Sequence, residues 1–253
     1  MLIINADDFG RSRLATDRTI DCHVRGTVSS ASAMVFMDDS QRASELALEY
    51  GVETGLHLNF TSGFTQRKEH ASLHDYQERI VGYLTRNNYN FLIYNPALRR
   101  HFHYVFQCQV EEFERLFGRA PSHINGHHHM HLCANMLFGS PLPAGCAVRK
   151  NFSFAPGEKS FLNRTYRSLV DTWLARRYRL TDYFFSLSDC LKTGKLAALL
   201  ELAKSAAVEL ESHPEVEEEF TWLTGTASVL ALSGIGKGSY GQLDTSLYTG
   251  VDP

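Results

Sequence analysis

The order of apolar runs and helical stretches in the first sixty residues constrains the fold more than any other feature. Residues 2–5 are an apolar run that breaks at Ala6-Asp7-Asp8-Phe9-Gly10. A helical pattern over about 14–24 follows, with Gly26 where a C-terminal glycine stop belongs. Residues 27–36 read as a second strand. Asp38, Asp39 and Ser40 offer N-caps for a helix through Tyr50, stopped by Gly51. Residues 52–60 read as a third strand. Strand, helix, strand, helix, strand with short links is the pattern of parallel strands with helices packed outside.

The rhythm pauses over residues 61–96, which carry Gly, Asn, His and several tyrosines without a long period. They read as an extended loop or inserted lid. A helix over 97–117 closes at Gly118, and Pro121 opens a fourth strand into Ile124. Strands are expected near 146–152, 182–187 and 208–212, with helices over 162–178 and 195–207. About seven strand-helix units suit a barrel-like parallel sheet in one domain over 1–253, its Gly- and Ser-rich tail from 233 covering a surface. Lys and Arg number 25 against 28 Asp and Glu, a net charge of −3, which leaves no basic excess for nucleic acid. No run approaches the 18 or so apolar residues of a membrane span. Five scattered cysteines without a C-x-x-C pair, and a start unlike a signal peptide, point to buried thiols in the cytoplasm. A homodimer is the base-rate expectation for assembly.

Four places carry residues suited to chemistry. Asp7 and Asp8 follow an apolar strand, where barrel enzymes keep their working residues. Adjacent residues of an extended chain point opposite ways, so one carboxylate can bind a cation while the other reaches a water. A helix N-cap is the structural alternative. In Gly55-Leu56-His57-Leu58-Asn59-Phe60, His57 and Asn59 share the face opposite Leu56, Leu58 and Phe60, and burying such a pair requires partners. The alternative is a satisfied core histidine. Five of the twelve histidines fall between His123 and His131. Read as extended chain, His123, Asn125, His127, His129 and His131 share one face; read as helix, His123, His127 and His131 do. Neutral imidazole is the commonest protein metal ligand, so a cation is the simplest organiser of such a cluster. A solvated loop that binds metal only adventitiously is its rival. His213, held extended by Pro214, ends the last expected strand. The acidic run Glu215, Glu217, Glu218 and Glu219 reads as a solvated helix start. There is no G-x-S-x-G, H-E-x-x-H or Walker sequence, and the glycines of 234–238 lack the strand and helix of a phosphate loop.

Asn-Ala-Asp-Asp-Phe-Gly (5–10), Gly-Leu-His-Leu (55–58), Phe-Gly-Arg-x-Pro-x-His-x-x-x-His-His-His-x-His (117–131) and His-Pro (213–214) resemble, in order and spacing, the YdjC-like carbohydrate deacetylases, the ChbG/HpnK family. The resemblance implies a distorted seven-stranded α/β barrel that removes acetyl groups from N-acetylated sugars or oligosaccharides with one divalent cation, Mg2+ or Zn2+. It implies Asp8, His57 and His127 as metal ligands, Asp7 as general base and His213 as the acid beside the leaving nitrogen. It also places Arg149, with Asn125 and His129, on the substrate side. Two positions depart from the family pattern: Asn125, where Asp is usual, and Glu215, where a small residue commonly follows His-Pro.

A site of two imidazoles and a carboxylate keeps open positions for water and an acetyl oxygen, which suits amide hydrolysis. Tyr76, Tyr83, Tyr89 and Tyr94 are candidates for a wall against sugar rings, with ordinary packing as the alternative. The rival functions are another metal-dependent barrel hydrolase, such as a phosphoesterase, and a non-catalytic metal-binding protein. The first calls for several basic residues, where Arg149 is the one candidate; the second leaves Asp7 and His213 without a role.

Overall fold

The computed structural model describes residues 1–66, 71–139, 142–155 and 157–243. The apolar start forms β1 (Leu2–Phe9), buried at every position. It is followed by α1 (Arg13–Val24), β2 (Ser30–Ala33), α2 (Ser40–Tyr50), β3 (Glu53–Leu58), α3 (Ala71–Arg86), α4 (Arg99–Phe117), β4 (His123–Gly126) and α5 (Ala134–Gly139). Then come β5 (Ala147–Val148), α6 (Phe161–Leu174), β6 (Tyr183–Ser186), α7 (Leu187–Thr193), α8 (Leu196–Leu202), β7 (Val208–Ser212), α9 (Glu217–Thr224) and α10 (Thr226–Leu232). The strands form the expected seven-stranded parallel α/β sheet, in the order β5-β4-β3-β2-β1-β7-β6. Among the described residues no helix is long and apolar enough to cross a membrane.

The chain divides into two compact units. The first comprises Met1–Ala6, Arg18–Ala31 and Pro143–Pro253. Here β7 lies between β1 and β6, with Ala6 opposite Ser212 and Ser186 opposite Glu211. The glycine run of 234–238 is structural: the Leu2 N–H donates to the Gly236 carbonyl at 2.8 Å and the Gly238 N–H to the Leu2 carbonyl at 2.9 Å. Tyr240 and Leu243 then pack with Ile3 and Ala147, so this part of the tail covers a surface as expected. Residues 244–253 lie outside the described chain.

The second unit comprises Asp7–Asp17 and Ser32–Leu142. Its core gathers on α4, which buries Phe102, Val105, Phe106, Phe113, Leu116 and Phe117. The expected loop over 61–96 is corrected by α3, whose Leu73, Gln77, Ile80 and Leu84 are buried at helical spacing. The period escapes a hydrophobic reading because one anchor is polar: Gln77 Nε2 donates to the carbonyls of Asn59 at 3.0 Å and Ser62 at 2.7 Å. Residues 67–70 of that stretch lie outside the described chain. β1 runs further than expected and β7 as expected, while β2, β3, β5 and β6 are shorter, β5 most of all at two residues.

Candidate active site

Within the second unit the end of β1 brings two carboxylates to one imidazole. Asp8 has φ 60°, left-handed backbone that Asp tolerates better than most residues. Asp7 Oδ2 then lies 3.9 Å from His57 Nδ1, and Asp8 Oδ1 lies 3.3 Å from His57 Nε2. All three side chains are buried. The position of Asn59, expected on the His57 face, has a different explanation. Its Oδ1 accepts the N–H groups of Thr61 and Ser62, and its backbone is clamped by Gln77 and Gln109. It anchors the turn after β3.

The His-rich segment is neither extended nor regularly helical. His128 and His129 have φ values of 52° and 59°, so the chain turns left-handed immediately after β4. His127 reaches Asp8, with Nδ1 2.9 Å from Oδ1. The full convergence expected of the cluster is corrected by this turn. His123 hydrogen-bonds Ser32, His128 pairs with Thr61 Oγ1 at 3.0 Å, and half-buried His129 has its ring centroid 6.4 Å from that of His131.

The donor atoms of Asp8, His57 and His127 lie within 4.8 Å of one another. Asp8 Oδ1 is buried and accepts no hydrogen bond among the described residues, although two imidazole nitrogens stand close to it. Three donor atoms gathered this closely, two imidazole nitrogens and a carboxylate oxygen, fit a cation. Zinc ligands about 2.0–2.1 Å from a tetrahedral ion are spaced roughly 3.3 Å apart. Burial pushes the Asp8 carboxyl up, but the His127 and His57 rings beside it outweigh that and hold the carboxyl well below the usual carboxylate range. Its other oxygen takes Arg11 at 2.9 Å. Asn125, fully buried behind His57, accepts from His57 Nδ1 at 2.8 Å and donates to Ser32 Oγ at 2.8 Å and Asp7 Oδ1 at 3.3 Å.

Within the first unit His213 leaves the end of β7 partly exposed, its Nε2 3.6 Å from Glu211 Oε1. Arg149 is fully buried, its Nε 2.5 Å from Glu209 Oε1, its guanidinium 4.0 Å from Glu211 and stacked over Phe184 at 4.8 Å. Glu209 and Glu211 share one face of β7, so one arginine faces two carboxylates. Charge alternating along V-E-L-E-S was the signal that could have revealed them. Glu219 corrects the reading of a solvated acidic run. It is buried, takes the His213 N–H at 2.6 Å and accepts from Ser188 Oγ.

The tyrosines of the second unit are at least partly structural. Tyr83 donates to the carbonyl of Ile93 at 2.8 Å, and Tyr76 packs edge-on against His101 at 4.3 Å, while Tyr89 is 69% exposed. Burial pushes the thiols of Cys22 and Cys133 up to about 12 and those of Cys146 and Cys190 up to about 11.

A family model described as YdjC-like protein matches residues 1–231. A carbohydrate deacetylase from Mus musculus is 26% identical over 94% of this chain and 82% of its own length. A chitooligosaccharide deacetylase from Yersinia pestis is 33% identical over 60% of this chain and 57% of its own length. A putative cellobiose-phosphate cleavage protein from Enterococcus faecalis superposes with TM-score 0.66 at 20% identity, covering 95% of this chain and 97% of the other. A family 4 acetyl xylan esterase from Clostridium thermocellum, determined with a cobalt ion, gives TM-score 0.50 at 11% identity over 93% and 85% of the two chains.

Proposed function

The chain belongs to the YdjC-like protein family, and from that premise we propose that it is a metal-dependent hydrolase that removes an acetyl group from an N-acetylated sugar. The observation that carries this reading is the buried carboxylate oxygen of Asp8 standing within 3.3 Å of two imidazole nitrogens without a hydrogen bond of its own. The names of the two deacetylase relatives supply the substrate class.

Asp8, His57 and His127 would hold the ion. Two imidazoles and one carboxylate suit zinc better than magnesium, which prefers oxygen ligands and retained water. A divalent cation there supplies Lewis acidity to an amide carbonyl and makes water a better nucleophile near neutral pH. Asp7, beside His57 and oriented by the Asn125 amide, accepts the proton of the attacking water. His213 gives a proton to the departing amine, with the Glu211 carboxylate beside its ring and Glu219 fixing its backbone. Arg149 holds the Glu209–Glu211 face in place and keeps the acid's carboxylate partner ordered. His129 is the substrate contact that the family resemblance implies.

The test is acetate release from N-acetylglucosamine oligomers by metal-depleted and zinc-reloaded protein, wild type against Asp7→Asn. General-base removal should lower turnover by about 10²–10⁴-fold while zinc still binds one to one. Wild-type protein that binds zinc yet releases no acetate from any acetylated sugar would leave the binding-protein reading in its place.

A further inference from the structure

Behind His57 runs a row of hydrogen bonds with one consistent direction, set where the Asn125 amide gives an N–H to the Asp7 carboxylate. The Ser122 hydroxyl has one proton and gives it to the Thr54 carbonyl at 3.0 Å. In that direction His123 Nδ1, 2.9 Å from the same oxygen, is the donor of the pair. A ring with its proton on Nδ1 presents a lone pair at Nε2, so Ser32 Oγ, 2.8 Å away, gives its proton there. The Ser32 oxygen is left to accept from Asn125 Nδ2 at 2.8 Å. That turns Asn125 Oδ1 toward His57 Nδ1, at 2.8 Å, and the second amide N–H toward Asp7, at 3.3 Å. His57 must then donate from Nδ1, which leaves the Nε2 lone pair facing Asp8.

We infer that Ser122, His123, Ser32 and Asn125 form a one-way relay of positioning residues that sets the tautomer of His57 and orients the carboxylate of Asp7. The inference rests on the proposed function only in naming His57 a metal ligand and Asp7 the base. Asn125, where the resemblance leads one to expect Asp, is the branch point. An amide accepts from His57 and donates twice, whereas a carboxylate has no proton for Ser32 or Asp7 and would stand beside Asp7 as a second anion. Gly55 belongs to the same device. A β-carbon there would lie 2.3 Å from the His123 ring and 2.5 Å from its carbonyl oxygen, so the glycine makes the room in which the relay's histidine sits.

The test uses Ser32→Ala, which breaks the relay without touching His57 or Asp7. Nitrogen NMR of histidine-labelled, metal-free protein should show His57 as the Nδ1–H form in wild type and as a tautomer mixture in Ser32→Ala. The zinc dissociation constant, read by chelator competition, should rise about 10-fold in Ser32→Ala and up to about 100-fold in Asn125→Ala. Ser32→Thr keeps the hydroxyl and should restore both readings; if it behaves as Ser32→Ala, the site is merely packed and the inference falls. Asn125→Asp should keep the Nδ1–H form and zinc binding while turnover drops about 10-fold or more, since only its donor side is lost. An unchanged tautomer and unchanged zinc affinity in Ser32→Ala overturn the relay. These two readings need no substrate, so a wild type that released no acetate would sink the proposed function alone.

Discussion

His57 and His213 differ in what backs them. Asp7 and Asp8 lie 3.9 and 3.3 Å from the His57 ring nitrogens, but the hydrogen bonds that back the ring run through neutral groups, Asn125, Ser32 and His123. His213 stands beside charges: Glu211 faces its ring, Glu219 holds its N–H, and Glu209, next along the same strand face, is paired with Arg149. The difference teaches what each ring is for. A histidine that works through a lone pair needs one nitrogen committed to a donor role, and neutral partners do this without adding charge next to a cation. A histidine that works through a proton benefits from carboxylates near it. The same side chain is assigned to two tasks by what lies behind it.

The ionic side should break most severely. Arg149→Met leaves Glu209 and Glu211 buried without their cation and should cost about 3–5 kcal/mol of stability in denaturant unfolding. Adding Glu209→Gln should recover much of that loss. A single-variant cost below about 1 kcal/mol would mean that the pair is not buried in solution. The neutral side should yield less. Gly55→Ala forces its new methyl against the His123 ring and should cost about 1–3 kcal/mol; a variant as stable as wild type would show that the ring can move away freely. Tyr83→Phe, remote from both, should cost about 0.5–1.5 kcal/mol through its lost hydrogen bonds to Asn90 and Ile93, with acetate release unchanged. A selective rise in KM would instead return Tyr83 to a sugar-binding role.

Much of the architecture was legible because it rests on periodicity. β7 occupies the expected 208–212, α1 starts one residue early, and Gly26, Gly51 and Gly118 stop their helices with left-handed φ values of 72°, 68° and 65°. α3 was not legible because Gln77 replaces an apolar anchor. In the site, the spacing of Asp8, His57 and His127 was visible, but the split of the His-rich segment was not. Two consecutive left-handed histidines cannot be read from residue type, since neither extended nor helical geometry describes them. Ser32 and Glu219 were missed for another reason. A serine in an Ala-Ser run and one glutamate among four carry no mark of whether they face water or a buried imidazole.

The left-handed backbone at Asp8 also bears on descent. Only glycine, asparagine and aspartate enter that conformation readily, so the substitutions that the fold accepts most easily at this position, Asn and Gly, are also ones that remove the carboxylate from the cradle. A lineage can therefore lose the chemistry in one step while keeping the scaffold. Folded, silent cousins of this chain should carry Asn or Gly at position 8 more often than any bulkier residue.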